Sequence, residues 1–289
     1  MTTSTVPPAE SVARPTEESG SAVRNGNVPN TAAAVIAVEC LGHRYRGQTE
    51  PVLHDVSFSV AGGELVTIVG PSGTGKSTLL RCIAGLLRPT TGTASVLGRP
   101  VDGIPAGLAM VFQDYSRSLF PWMRVGRNVG FPLRAAGVPR AQRRERVAES
   151  LAAVGLDGAE QKYPWQLSGG MQQRVAIARA LACRPEVLLM DEPFASVDAQ
   201  TRSDLEDLTL DVRACFGMTI LVVTHDIDES VYLSDRIVVL SKPPATVREQ
   251  IEVDLPVPRD QLVTRSEPRF VALRTEVAAH IRAGGRPTG

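Results

Sequence analysis

The segment from Gly70 to Thr78, GPSGTGKST, limits what this chain can fold into more than any other stretch. It follows the apolar run Leu65-Val66-Thr67-Ile68-Val69 and opens a second run in which Leu79, Leu80, Ile83, Leu86 and Leu87 recur at helical spacing. The order is therefore strand, loop, helix. A buried strand feeding a helix through a glycine loop points to an α/β fold with a largely parallel sheet. Gly70, Gly75, Lys76 and Ser77 fit the pattern G-x-x-x-x-G-K-[ST], in which small residues let backbone N–H groups turn inward around a phosphate. The helix that starts there adds its positive end. Gly70, Pro71, Ser72, Gly73, Thr74, Gly75, Lys76, Ser77 and Thr78 are thus candidate nucleotide-binding residues, with Lys76 reaching the β and γ phosphates and the Ser77 hydroxyl holding Mg²⁺.

Val187 to Met190 is a second apolar run of strand length, and it ends in Asp191-Glu192. The carboxyl ends of parallel strands are where ligands bind in such sheets. One carboxylate there, Asp191, can steady Mg²⁺ through its water shell, while Glu192 can orient and polarise a water that attacks the γ-phosphate. Phosphoryl transfer needs positioning and charge neutralisation more than covalent chemistry, so this division between two acids is sufficient.

Between these two stretches stands Leu167-Ser168-Gly169-Gly170, which resembles the signature of the ATP-binding cassette (ABC) ATPases. Ser168, Gly169 and Gly170 precede the helix-compatible run Gln172 to Ala182 and can offer backbone N–H groups to an anion. The resemblance implies that this anion is the γ-phosphate held by a second copy of the chain, with Gln172 part of the same signature. Met171 departs from the glutamine many members carry. Other positions follow from the resemblance one by one. Tyr45 matches the aromatic residue that stacks on adenine, and Gln113, at the end of Ala109 to Phe112, matches the glutamine that touches Mg²⁺ and the attacking water. Asp198 matches the aspartate that crosses the dimer interface, and His225, after Thr219 to Thr224, matches the switch histidine of the γ-phosphate. The implied catalytic set is Glu192, His225 and Gln113, and the implied metal set is Ser77, Gln113 and Asp191, the last through water. The cofactors are ATP and Mg²⁺.

The implied fold is an α/β P-loop NTPase: an ABC ATPase core with an antiparallel β subdomain and an inserted helical subdomain. Alternating Val56, Phe58 and Val60 suit the antiparallel part, and Arg143 to Val154 has one apolar and one charged side, as the helical subdomain requires. The expected divisions are a disordered N-terminal tail over 1–33 and an ATPase domain over 34–242, with its helical subdomain near 114–178. A C-terminal extension over 243–289 packs on that domain through Phe270, Leu273, Val277 and Ile281.

Composition excludes some rivals. With 31 basic and 31 acidic residues among 289, the chain has no surplus of positive charge for nucleic acid. Its four cysteines, Cys40, Cys82, Cys183 and Cys215, lie far apart and read as reduced, mostly buried thiols of a cytosolic protein. The longest apolar run, Ala32 to Val38, is far short of the roughly 18 residues a spanning helix needs. Met1 to Thr31 has neither the basic start nor the apolar core of a signal peptide. If the chain energises transport, the pore belongs to another protein.

The tail carries a finer resemblance. Pro243-Pro244, Glu252 to Pro256 and Pro258-Arg259-Asp260, with Phe120-Pro121-Trp122 upstream, are similar to the nitrate, sulfonate, taurine and bicarbonate importer ATPases. The segment Asp114 to Ser118 lengthens the loop after Gln113 relative to commoner members of that group. What this implies is an ATP-hydrolysing importer subunit on the cytoplasmic face of the cell membrane, paired with a second copy, attached to permease subunits and served by an extracytoplasmic solute-binding protein. Two alternatives remain at this point. An exporter subunit for lipid, drug or lipoprotein would share the ATPase motifs but not the tail. A soluble mechanical ATPase of repair or translation would need a long coiled coil or a second phosphate loop, and neither is present.

Overall fold

The computed structural model describes residues 1–2, 34–114 and 118–283. The expected disorder over 1–33 and most of the lengthened loop, residues 115–117, lie outside the described residues.

Two sheets share the work. Strands β1 (Ala34–His43), β2 (Leu53–Ala61), β4 (Thr91–Val96) and β5 (Arg99–Pro100) form an antiparallel sheet in the order β2-β1-β4-β5. Val56, Phe58 and Val60 of β2 point into it, as their alternation required. The main sheet runs β10-β9-β3-β8-β7-β6, built from β3 (Leu65–Val69), β6 (Leu108–Val111), β7 (Val187–Asp191), β8 (Thr219–Val223), β9 (Arg236–Leu240) and β10 (Val247–Glu252). Its β9, β3, β8, β7 and β6 are parallel, and β10 closes one edge antiparallel to β9.

The apolar runs of β3, β7 and β8 are buried at every position because both faces are covered. Leu65 and Val69 of β3, with Leu188, Met190, Ile220 and Val222, face one core. Val66 and Ile68, with Val187, Leu189, Leu221 and Val223, face the other, beside α1 (Lys76–Ile83) and the antiparallel sheet. The pleat thus splits each strand between two hydrophobic layers and holds its carboxyl end rigid.

Between β6 and β7 the chain forms α2 (Val125–Ala135), α3 (Arg140–Ala153) and α4 (Gly169–Leu181), the helical subdomain. Val129, Leu133, Val147 and Leu151 pack it against α4. Buried Asn128 ties the entry to this subdomain: its Oδ1 accepts from the Phe120 N–H at 2.8 Å and its Nδ2 donates to the Met123 carbonyl at 3.0 Å. Helix α5 (Ala199–Phe216) follows β7, and α6 (Ile227–Leu233) follows β8. At the end of the chain come α7 (Val263–Ser266) and α8 (Pro268–Ala283), whose Phe270, Leu273 and Val277 sit in the core, with Ile281 partly buried against it.

Three expectations shift in detail. Of the four cysteines only Cys82 is buried; Cys40, Cys183 and Cys215 are exposed. The first helix ends at Ile83, leaving Leu86 exposed, because Gly85 adopts a left-handed conformation where a Cβ would overlap the Gly103 carbonyl at 1.8 Å. The sheet also continues past 242 through β10, so that part of the C-terminal extension belongs to the ATPase body.

Candidate nucleotide-hydrolysis site

Gly75 starts α1 at φ 93°, a conformation that favours glycine, and a Cβ there would meet Val52 at 2.4 Å. Lys76 is only 6% exposed, and its Nζ donates to the carbonyls of Gly70 at 2.8 Å and Pro71 at 3.1 Å. Burial lowers the Lys76 pKa, while the nearby Glu192 and Asp191 carboxylates pull it back up. The Thr74 hydroxyl donates to the Pro71 carbonyl and braces the loop. Gly70, Pro71, Ser72, Gly73, Thr74 and Gly75 thus form the loop that leads from β3 into the first turn of α1, Lys76, Ser77 and Thr78.

The Ser77 hydroxyl donates to Asp191 Oδ1 at 2.8 Å. Burial raises the Asp191 pKa, and the Ser77 hydrogen bond and the charges of Arg81 and Lys76 oppose that rise. A hydroxyl and a carboxylate side by side at a strand end are hard oxygen donors of the kind Mg²⁺ prefers, so the residues present fit that ion. Among the described residues no cluster of three or more His, Cys, Asp and Glu is suited to a softer metal.

Glu192, the next residue, adopts φ 44°, rare for a side chain of its size, while its N–H donates to the Val223 carbonyl at 2.8 Å. This conformation turns the carboxylate off the strand line. Glu192 Oε2 accepts from Gln113 Nε2 at 2.9 Å and lies 3.2 Å from His225 Nδ1. Three residues from three different strand ends thus converge on one carboxylate: Gln113 after β6, Glu192 after β7 and His225 after β8. Gln113 itself lies two residues beyond the end of β6, with Phe112 exposed between.

Tyr45 stands beyond β1, partly exposed, its hydroxyl 2.9 Å from Thr78 Oγ1 and its ring edge-to-face with His43. The ring is thereby anchored beside the phosphate loop.

Ser168, Gly169 and Gly170 are elsewhere. Ser168 is the N-cap of α4, its Oγ accepting from the Met171 N–H at 3.3 Å. Ser168 and Gly169 are exposed and Gly170 is buried. Among the described residues no hydrogen bond or ion pair joins them to the chain's own Gly70 to Thr78. Gln172 turns inward, its Nε2 donating to the carbonyls of Pro164 at 3.1 Å and Leu167 at 3.2 Å, so its side chain supports the signature loop from below. Met171 packs against the core, where an apolar side chain is suitable. Asp198 caps α5: Oδ1 accepts from the Thr201 N–H at 3.0 Å and Oδ2 from the Thr201 hydroxyl at 2.7 Å. These bonds, the backbone one first, hold its carboxyl below the usual range.

Sequence reasoning missed the residues that support this set. Gln173 is fully buried and donates to the Pro193 carbonyl at 2.7 Å, joining the signature helix to the turn after Glu192. Thr224 and Glu229, hydrogen-bonded to each other, flank His225 in the same turn. Their only sequence signal is position beside a motif, which does not reveal burial.

A parallel sheet whose strand ends bring a phosphate loop, a Ser77–Asp191 pair and a histidine-flanked glutamate together defines a P-loop nucleotide hydrolase. Residues 53–195 match the ABC transporter family profile. The chain is 43% identical over 254 residues to the taurine import ATP-binding protein TauB of Chromobacterium violaceum, covering 86% of this chain and 97% of the relative. It is 44% identical over 241 residues to the nitrate import ATP-binding protein NrtD of Synechocystis, covering 82% and 89%. Its fold resembles the dimeric ATP-binding cassette MJ0796 in a post-hydrolysis state bound to ADP and Pi, with a TM-score of 0.66 at 32% identity over 75% of this chain and 98% of that one. The chain belongs to the ABC transporter ATP-binding proteins, and it is an ATP hydrolase.

Proposed function

We propose that this chain energises an importer for a small anionic solute of the nitrate, sulfonate or taurine type, working as a pair of copies beneath separate permease subunits at the cytoplasmic face of the cell membrane. An extracytoplasmic solute-binding protein delivers the solute. The similarity to named taurine and nitrate import proteins over most of the chain supports the importer reading. Among the described residues no helix is long and apolar enough to cross a membrane, which agrees with a separate pore.

The observation that carries the mechanism is the convergence of Gln113 and His225 on Glu192. In this reading Gly70 to Thr78 bind the phosphates of ATP, with Tyr45 against the adenine. Ser77, Gln113 and Asp191, the last through water, would hold Mg²⁺, which when bound would supply charge neutralisation at the phosphates. Glu192 accepts a proton from the attacking water, whose position Gln113 helps to set, and His225 hydrogen-bonds the γ-phosphate. Ser168, Gly169 and Gly170, held by Gln172, bind the γ-phosphate of the other copy, and Asp198 meets its counterpart across the interface. ATP drives closure of the pair because those bonds exist only in the closed arrangement.

Glu192→Gln is expected to lower steady-state ATP hydrolysis at least about a hundredfold, near 3 kcal/mol of barrier, with ATP affinity retained. Turnover within a few fold of wild type would remove Glu192 as the base. The solute class is tested by reconstituting the chain with the permease and binding protein encoded beside it. Hydrolysis should rise with nitrate, taurine or an alkanesulfonate, and no response to any of them rejects the class.

A further inference from the structure

Behind His225 lies a group the mechanism does not use. Glu229 is 5% exposed, on the first turn of α6. The Thr224 hydroxyl donates to its Oε2, and Thr224 Oγ1 in turn accepts from the Asp226 N–H at 3.0 Å. The Glu229 N–H donates to Asp226 Oδ1 at 3.1 Å, which closes a ring of hydrogen bonds around the backbone of His225. The Thr224 N–H reaches the Ile68 carbonyl at 3.2 Å, and Val223 just before it receives the Glu192 N–H. The turn that carries His225 is thus fastened to β3 on one side, to Glu192 on the other and to Glu229 beneath.

The second oxygen of Glu229, Oε1, is buried without a hydrogen-bond partner, as is Nε of Arg202 from α5. Both residues line a small cavity of about 10 Å³, together with Glu192, Thr224, His225 and Asp226. Another Arg202 nitrogen, Nη1, donates to Asp226 Oδ2 at 3.0 Å. Glu206 of α5 also acts on Glu229 and is itself held by Arg265 NH2 at 2.6 Å and Gln261 Nε2 at 3.0 Å from the C-terminal segment. On the far side of α6, Asp228 lies 3.8 Å from Arg274 of α8.

We propose that Glu229 is a positioning residue for ATP hydrolysis: through Thr224 it fixes the turn that brings His225 to Glu192. Glu229 accepts a hydrogen bond from the Thr224 hydroxyl at Oε2, and as a neutral acid it carries its own proton on Oε1, facing the cavity. Burial, with Glu206 and Asp226 adding to it against the opposing Thr224 bond and Arg202 charge, pushes its pKa up to about 8. Below that pH the ring is intact. Above it the Thr224 hydroxyl still bonds the carboxylate, but a negative charge arises against those of Glu206 and Asp226, opposed by Arg202, and that repulsion loosens the turn. An amide at this position keeps one acceptor and one donor and does not titrate.

This inference rests on the reading of His225 and Glu192 above, so the test includes a variant of that site. Steady-state hydrolysis of Mg-ATP by the full chain is measured from pH 6.5 to 9.5 for wild type, Glu229→Gln, Glu229→Ala, Thr224→Val and His225→Ala. Glu229→Ala and Thr224→Val should lower kcat about ten- to a hundredfold with KM within about twofold of wild type. Glu229→Gln should keep wild-type kcat at pH 7 and, unlike wild type, hold it to pH 9.5. An alkaline limb unchanged in Glu229→Gln, or kcat as low as that of Glu229→Ala, overturns the proposal. If Glu229→Ala does not fold, Thr224→Val and Glu229→Gln decide alone. Should His225→Ala hydrolyse normally, the site reading fails; should it be inactive while Thr224→Val is unaffected, only the role of Glu229 fails.

Discussion

The phosphate loop and the signature loop are both glycine-rich turns at helix starts, yet the structure treats them in opposite ways. Around the first, the side chains of Lys76, Ser77 and Thr78 have partners within the chain, on Gly70 and Pro71, on Asp191 and with Tyr45, while Ser72 and Gly73 are exposed. At the second, Ser168 and Gly169 face outward and only the undersides are held, by Gln172 and by Gly170 against α5. On the proposed reading, the loop that grips a ligand within its own chain is held by the core, and the one that serves a second copy is supported from behind and left open in front.

The strongest way to break this contrast is Ser168→Arg. It adds bulk and charge at the outward face, so hydrolysis by the paired chains should fall about a hundredfold, with ATP binding to the single chain unchanged in a fluorescent-nucleotide titration. Loss of binding instead would mean that the signature acts on its own nucleotide.

A smaller effect tests the support behind the loop. A Cβ on Gly170 would come 2.3 Å from Thr201 Cγ2, and that methyl cannot rotate away without releasing the Thr201 hydroxyl from Asp198. Gly170→Ala should therefore cost about 1–3 kcal/mol of stability. Adding Thr201→Ser, which removes the methyl and keeps the hydroxyl, should recover most of it in thermal unfolding. No recovery would show that the clash is relieved elsewhere.

Smallest is Tyr45→Phe on the enclosed side. It removes the bond to Thr78 while leaving the ring, so ATP affinity should fall by less than about tenfold, in line with roughly 0.5–1.5 kcal/mol for one hydrogen bond. Tyr45→Ala should lose more if the ring face is what meets the adenine. Equal losses would assign the whole effect to the hydroxyl.

Glu229 shows the same enclosure with a stability consequence. Its pKa is raised in the folded chain, so the stabilisation it lends as a neutral acid is complete below its ordinary carboxyl range and fades as pH climbs through about 8. The order of the two loops and of the acids that follow them was legible in the residues because each element advertises itself locally. Leu65 to Val69 and Val187 to Met190 are continuous apolar runs, and strands covered on both faces have no other pattern available. The helix over Pro268–Ala283 was equally readable from Phe270, Leu273 and Val277. The left-handed Glu192, the inward-turned Gln172 and the continuation of the main sheet through β10 were not.

The sequence by itself determined which groups are present and which strand or helix end each one occupies, since apolar period, glycine placement and the GKS and DE runs depend only on neighbours along the chain. Only the tertiary structure decided which of them meet. Gln113, Glu192 and His225 are far apart in the chain and converge because parallel pairing sets β6, β7 and β8 side by side with their carboxyl ends level. Burial was decided there too. It turned Glu229 from one more acid on a short amphipathic helix into a neutral brace, because the cost of a charge depends on what surrounds it in space.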